Sequence, residues 1–198
     1  SLYVASDLAL TFSQFGMREA VAYAIGKKIH TAAEIVPTLL GLVFFASLTA
    51  MSACMAYYYV TGLTDHSWVL LALALAPIPF NLLTNYAAGV FLGKEMIVRF
   101  NRVNWMPMAL NLVLVIAVGW VGGLGINGVM LAAALATLFN CSYAIYLLRS
   151  VTPLRIGFNR KLATNLSRRG VVYAAAVFML VLNLRLPILL LHNLSNLT

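Results

Sequence analysis

The chain has 198 residues, of which 63% are hydrophobic and only 9% charged, and its mean hydropathy is +0.93. Soluble domains have about 25% charged residues, so this chain has too little polar surface for a water-soluble fold. Its formal net charge is +8, which in a soluble protein would suggest nucleic acid, but cytoplasmic loops of membrane proteins also collect Lys and Arg. The composition therefore predicts a protein of the lipid bilayer without a nucleic-acid partner.

The first segment, residues 1–26, is apolar but contains embedded polar and charged side chains. Four of these recur at i, i+4, i+7 and i+11, and they are Asp7, Thr11, Gln14 and Arg18. This spacing gives one narrow helical stripe that can face a protein interior. The stripe favours a membrane span over about 5–26, and a helix that lies on the membrane surface is the alternative.

Long uncharged stretches follow, and each is close to the roughly 20 residues that cross a 30 Å hydrocarbon core. They predict spans over about 36–60, 67–92, 105–122 and 127–148. The last two are separated by a glycine-rich reversal that reads Gly-Trp-Val-Gly-Gly-Leu-Gly-Ile-Asn-Gly. A sixth span over about 170–191 is interrupted by Arg185 and Pro187. The sequence therefore predicts an all-α, polytopic transmembrane bundle of about six helices, with residues 1–198 forming one domain.

The connections between these spans alternate in charge. The segments 27–34, 93–104 and 149–169 contain eleven of the 13 Lys and Arg residues, and the intervening connections contain none. The positive-inside rule therefore predicts that these three loops are cytoplasmic. The first residue is Ser, at a position that this topology puts outside, and the chain stops just after its last span. We therefore expect a fragment of a longer multi-pass protein.

Three segments together resemble a known transporter family. They are Gly122-Gly-Leu-Gly-Ile-Asn-Gly-Val-Met-Leu-Ala132, the loop 94–104 and Leu182-Asn-Leu-Arg-Leu-Pro-Ile-Leu-Leu-Leu191. The whole chain resembles helices two to seven of polysaccharide (O-antigen type) flippases, which belong to the multidrug/oligosaccharidyl-lipid/polysaccharide exporter superfamily and have two helical bundles. One residue departs from the family pattern, because Pro187 stands where many relatives have an acidic residue. The resemblance therefore does not extend to acid-dependent coupling on that helix.

The resemblance implies that the protein flips a polyprenyl-diphosphate-linked oligosaccharide from the cytoplasmic to the outer leaflet of the bacterial inner membrane. Transport would proceed by alternating access and serve polysaccharide biosynthesis, including lipopolysaccharide O-antigen. The expected partners are this lipid-linked oligosaccharide, membrane lipids and glycan-assembly proteins; neither enzyme activity nor a cofactor is implied. A multidrug or lipid exporter of the same superfamily, a glycan polymerase or ligase, and a structural membrane subunit are the alternatives.

Two arginines inside the predicted spans are the strongest candidates for substrate binding. Arg185 lies 15 residues beyond Gly170, which is about 22 Å into a core roughly 30 Å thick. Arg18 lies about 14 Å from the basic boundary by helical rise. Such residues usually face a bundle interior or a water-filled cavity, and the forked guanidinium suits a diphosphate. Snorkelling of Arg185, and a structural ion pair of Arg18 with Glu19 or Glu34, are the alternatives.

Polar uncharged residues supply the remaining candidates. Asn81, Thr84 and Asn85 cluster at i, i+3 and i+4, after two prolines that should kink the helix. Their amides suit sugar hydroxyls, but holding helices together is the favoured interpretation. Gln14 continues the polar stripe and is predicted to line the same cavity as Arg185. No histidine spacing matches a metal site, so we expect neither a bound metal nor catalytic residues.

Overall fold

The computed structural model describes residues 14, 16–60, 68–123, 125–155 and 157–195, and all regular structure in these residues is helical. In chain order the helices are α1 (Met17–Gly26), α2 (Ala32–Val60), α3 (Trp68–Leu75), α4 (Pro77–Gly93), α5 (Ile97–Leu114), α6 (Gly125–Arg149) and α7 (Arg160–Ser195). A π-helical segment, Val115–Val121, continues α5. Residues 1–13 lie outside the described residues, so α1 represents only the last part of the predicted 5–26 span.

Four helical segments in the described part of the chain are long and apolar enough to cross a membrane. They are Ala32–Val60, Leu71–Gly93, Ile97–Gly119 and Asn127–Arg149. The second combines α3 and α4, which are separated at Ala76 because Pro77 has no N–H to continue the first helix and begins the next. This is the architecture of a multi-pass membrane protein.

The helices extend beyond the apolar stretches into the basic segments. α5 begins at Ile97 and α7 at Arg160, whereas the sequence pattern assigns 93–104 and 149–169 to loops. Lys and Arg are good helix formers, and the headgroup region accommodates their charge. Loss of apolarity therefore marks the edge of the membrane and not the end of a helix.

Two tight turns connect α1 to α2 and α4 to α5 with the same backbone geometry. Lys28 and Glu95 adopt left-handed φ angles of 55° and 59°. In each turn the next N–H, that of Ile29 or Met96, donates to the carbonyl five residues earlier at 3.0 or 2.9 Å. These bonds complete Schellman motifs, which satisfy the last carbonyls of the preceding helix.

α4 is the central helix of the bundle and packs against α1, α2, α5 and α6. Its approach to α1 depends on two glycines spaced i, i+4. A Cβ on Gly89 would lie 2.6 Å from the Arg18 carbonyl oxygen, and one on Gly93 would lie 2.9 Å from that of Ala22. Small residues at this spacing let two helix backbones touch inside a membrane.

The outward face of α5 is apolar. Trp105, Met108, Leu112 and Ile116 recur at i, i+3, i+7 and i+11, and each is exposed. Only 6% of the most apolar stretch of Ile97–Gly119 is buried, against 56% for Leu71–Gly93. An exposed face of large apolar side chains is the arrangement expected of a helix that contacts lipid.

The three basic segments lie at one end of the bundle. The contacts that join them connect Gly26 to Gly93, Arg99 to Ser150, and Thr38 to Asn159. In the second contact the Arg99 guanidinium donates to Ser150 Oγ at 2.7 Å. We call this end, formed by residues 27–34, 93–104 and 149–169, the basic end.

Candidate functional site

Four helices form a ring around a cleft. α1 packs against α4 and α7, and α2 packs against the same two helices. The space between them has a volume of about 280 Å³ and is lined mainly by apolar side chains. All four helices contribute, through Met17, Leu42, Ala46, Tyr86, Ser167 and Val171, together with Phe45 and Thr49. We call this space the apolar cleft.

The apolar cleft lies well inside the bundle. Met17, Tyr86 and Ser167 line it and stand seven to nine residues from the ends of their helices at the basic end. At 1.5 Å per residue this is a depth of about 10–14 Å. The cleft is therefore at the depth of lipid chains, below the side chains that carry most of the charge.

A second space, the polar cleft, opens at the basic end between the start of α2 and the chain entering α7. It has a volume of about 440 Å³ and is lined by Ala33, Glu34, Pro37, Thr38, Gly157 and Phe158, together with His30, Asn159 and Leu162. His30 Nδ1 lies 3.3 Å from Glu34 Oε2 across its mouth. The Asn159 side chain accepts a hydrogen bond from the Leu162 N–H at 3.2 Å and so caps α7.

The Phe158 ring separates the two clefts. A Cβ on Gly41 would lie 2.6 Å from this ring, so the ring rests directly on the glycine. The ring also makes an edge contact with Phe45, with 6.0 Å between centroids. One face of α2 runs past both clefts and contains Glu34, Thr38, Gly41, Phe45 and Thr49. A polar surface and an apolar surface thus follow one another along a single helix.

Arg18 has an ionic partner in the structure. Its Nε and Nη2 atoms donate to Glu19 Oε1 at 2.9 and 2.6 Å, and the two side chains are 41% and 28% exposed. Its backbone packs against Gly89. Arg18 therefore follows Met17, a wall residue of the apolar cleft, with its charge compensated by a neighbouring carboxylate.

The two candidate arginines lie at different depths. α1 meets α7 where a Cβ on Gly16 would lie 2.5 Å from the Gly170 carbonyl oxygen. Arg185 is 15 residues further along α7, or about 22 Å by helical rise. The side chain of Arg185 lies outside the described residues, as do Asp7 and Thr11. Gln14 is half-buried, and its carbonyl oxygen accepts a hydrogen bond from the Met17 N–H at 2.8 Å.

The amide cluster on α4 bonds within its own helix. Asn85 Nδ2 donates to the backbone carbonyl of Asn81 at 3.0 Å, and the Thr84 hydroxyl donates to that of Phe80 at 2.8 Å. The described walls of the two clefts include neither asparagine. A different amide connects two helices, because buried Asn140 donates from Nδ2 to the Val103 carbonyl at 3.1 Å and so joins α6 to α5.

Sequence reasoning missed the apolar cleft. Its walls are mostly Leu, Ala, Met, Phe and Val, which have no chemical signature in a chain that is 63% hydrophobic. One available signal was the Gly-Val-Phe-Leu-Gly run that ends α4, because this spacing marks close helix contact. It locates the α1–α4 side of the ring.

In the described part of the chain, no group of three or more His, Cys, Asp or Glu side chains is arranged to hold a metal ion. Comparison of the chain with known protein families, with curated proteins and with solved structures finds no match.

Proposed function

We propose that this chain is part of a membrane transporter that moves a polyprenyl-diphosphate-linked oligosaccharide from the cytoplasmic to the outer leaflet of a bacterial inner membrane. The observation that carries the proposal is that eleven Lys and Arg residues and a polar cleft of about 440 Å³ lie at the same end of an apolar bundle. An anionic headgroup is attracted to such an end.

The charge balance at the basic end favours a diphosphate. Against the eleven cations, the same segments contain two carboxylates, Glu34 and Glu95. The polar cleft adds an amide and a hydroxyl, those of Asn159 and Thr38, which are groups that bind sugar hydroxyls. A headgroup with phosphate and glycan portions therefore has complementary groups within one region.

Deeper positive charges mark the path away from this end. By helical rise, Arg18 lies about 14 Å from Lys27, and Arg185 lies about 22 Å beyond Gly170, which follows the last basic residue of the basic end. Two arginines at successive depths provide successive positions for a diphosphate that crosses the membrane. At the first position the diphosphate competes with Glu19 for a guanidinium whose forked donors match phosphate oxygens.

The remaining parts of the proposal follow from the nature of the process. Moving a molecule between leaflets breaks no bond, so it needs no nucleophile and no general acid. Gln14, Asn81 and Asn85 are proposed to contact the glycan during transit, and the polyprenyl tail stays in the bilayer. Alternating exposure to the two sides requires a second, facing bundle, as in transporters built from two repeats.

Complementation tests the proposal. The complete natural gene that contains this chain, including any segment that supplies the facing bundle, is expressed in a bacterial strain that lacks its own O-antigen flippase, and surface glycan and protein abundance are measured. We expect wild type to restore glycan, and Arg18→Ala and Arg185→Ala to lose it at normal abundance. Arg102→Ala is the comparison: it removes one of eleven cations at the basic end and should reduce surface glycan less than loss of either deep arginine.

Two results would contradict the proposal in different ways. If wild type restores no glycan against a panel of polysaccharide types, the transported class is wrong. If both deep-arginine variants match wild type, transport stands but the assignment of Arg18 and Arg185 to the diphosphate fails.

A further inference from the structure

The apolar cleft has no role in the transport scheme, in which the polyprenyl tail stays in the bilayer. Its rim is open, because Phe45 and Val171 line it and each is 55% exposed. An empty space of this size inside a membrane protein loses contacts that close packing would supply. Its largely apolar walls disfavour water, so a lipid chain from the surrounding bilayer is the natural occupant.

The acyl chain of a phospholipid cannot determine which lipid binds in the cleft. Lipid tails are as apolar as the side chains around them, so every phospholipid chain gains similarly in the cleft. Selectivity must come from the headgroup, which lies at the helix ends that form the surface of the basic end, about 10–14 Å above the cleft. The charge at that end is predominantly positive, so it discriminates in favour of anionic lipids.

One face of α7 joins the cleft to a specific cation. Ser167 and Val171 line the cleft, and Thr164 and Arg160 precede them on the same face at helical spacing. Arg160 is exposed at the first position of the helix. On α2, across the cleft from α7, the nearest carboxylate along the helix is Glu34, which is paired with His30 at 3.3 Å; on α1, Glu19 is paired with Arg18 at 2.6 Å. A phosphate above the cleft therefore meets the Arg160 side of the rim.

We propose that the apolar cleft between α2 and α7 holds an acyl chain of an anionic phospholipid of the inner leaflet, with the lipid phosphate beside Arg160. This site requires only the cleft and the basic end, and it stands whether or not the chain belongs to a flippase. The bound lipid fills the centre of the ring formed by α1, α2, α4 and α7 and stabilises the packing of that ring.

The test measures thermal unfolding of the full purified chain in detergent, with four added probes. These are dioctanoyl phosphatidylglycerol, dioctanoyl phosphatidylcholine, inorganic phosphate and undecaprenyl phosphate. We expect phosphatidylglycerol to raise the unfolding midpoint at concentrations at which phosphatidylcholine and inorganic phosphate do not. Binding to the folded state alone produces such a shift.

Matched variants locate the site. Ala46→Phe fills the cleft and should abolish the response, whereas Ala53→Phe, at an exposed position of the same helix, should retain it. Arg160→Gln should weaken the apparent affinity about 5-fold, since one basic residue near a membrane surface contributes about that factor. Arg102→Gln, on a helix outside the ring, should weaken it less than Arg160→Gln does, since it removes one charge of the basic end at a greater distance from the cleft.

The proposal is overturned if phosphatidylcholine acts as strongly as phosphatidylglycerol, or if inorganic phosphate alone reproduces the shift. It is also overturned if undecaprenyl phosphate binds more tightly and is blocked by Ala46→Phe, because the cleft then belongs to the transported lipid. Should Ala46→Phe fail to fold, Ala46→Leu adds less volume and serves the same purpose. An unchanged response in a folded Ala46 variant refutes the site.

Discussion

Gly89→Ala tests the contact on which the ring of helices depends. The added Cβ would lie 2.6 Å from the Arg18 carbonyl oxygen and 3.1 Å from its Cα, whereas ordinary contacts begin near 3.4 Å. Both neighbours are backbone atoms, so α1 must move away from α4 by about the difference, 3.4 − 2.6 = 0.8 Å. A gap of about 0.5–1 Å removes a quarter to a half of the attractive energy of each van der Waals contact between the two helices.

The expected cost of Gly89→Ala is about 1–3 kcal/mol, the usual range for overpacking. In a water-soluble protein, replacing a helical glycine by alanine would raise the free energy of unfolding by up to about 1 kcal/mol, because alanine has the higher helix propensity. That gain is largely absent here because a membrane segment keeps its helical hydrogen bonds even when its tertiary contacts are lost. The steric cost therefore dominates.

The assay is SDS-induced unfolding in mixed micelles, which compares helical states with and without tertiary packing. Gly119→Ala is the matched control, because its nearest new contact is the Val129 Cγ2 methyl at 3.2 Å, and a side-chain methyl can shift. We expect this control to change the free energy of unfolding by less than about 0.5 kcal/mol. The reasoning is refuted if Gly89→Ala is as stable as Gly119→Ala or stabilises the protein.

Three further predictions concern the α5–α6 hairpin and the topology. Asn140→Leu should cost less than about 1 kcal/mol in the same assay, because the lost interhelical bond is weak and an unpartnered buried oxygen is removed with it; a larger loss contradicts this. Arg99→Met removes the hydrogen bonds to the Leu147 carbonyl and Ser150 Oγ, worth about 1 kcal/mol, and should therefore speed trypsin cleavage of the segment before α7 several-fold. An equal effect of Arg102→Met would show that loss of positive charge, and not of these bonds, causes the faster cleavage. A cysteine replacing Lys28 should react with an impermeant thiol reagent only after cells are opened and one replacing His66 in intact cells; reversed labelling would invert the topology.

The sequence predicts an all-helical chain of about six membrane spans; the structure confirms the helical class and has, in the described residues, four helices that are long and apolar enough to cross a membrane. It also anticipates the interruption before Pro77, since proline cannot continue the preceding hydrogen-bond pattern. Helix ends are less predictable, as α7 shows by beginning at Arg160 within a strongly basic segment. Charge marks the membrane surface, whereas helix termination depends on local backbone bonds such as those at Lys28 and Glu95.

The candidate site is less visible in the sequence. Arg18 is prominent because a charge in an apolar segment is costly, and the sequence already offers the adjacent Glu19 as its ionic partner. Only the three-dimensional arrangement brings the Arg18 backbone against Gly89. The roles of Arg18, Arg185, Gln14, Asn81 and Asn85 in substrate binding remain predictions. Phe158 and Gly41, which separate the two clefts, have no distinguishing chemistry until α2 and the chain before α7 are brought together.

The composition of the chain by itself predicts a lipid environment, and the order of its charged residues gives the alternation of basic and uncharged connections. Both are properties of the sequence that do not depend on which helices contact one another. Tertiary structure alone decides which apolar face contacts another helix and which contacts lipid. In a bilayer both environments are equally apolar, so no amphipathic pattern distinguishes Leu112 on the outer face from Leu82 in the core. The shapes of the side chains decide which face is buried. Gly89 lets the backbone of α1 approach α4 closely, and the four helices of the ring leave the apolar cleft between them.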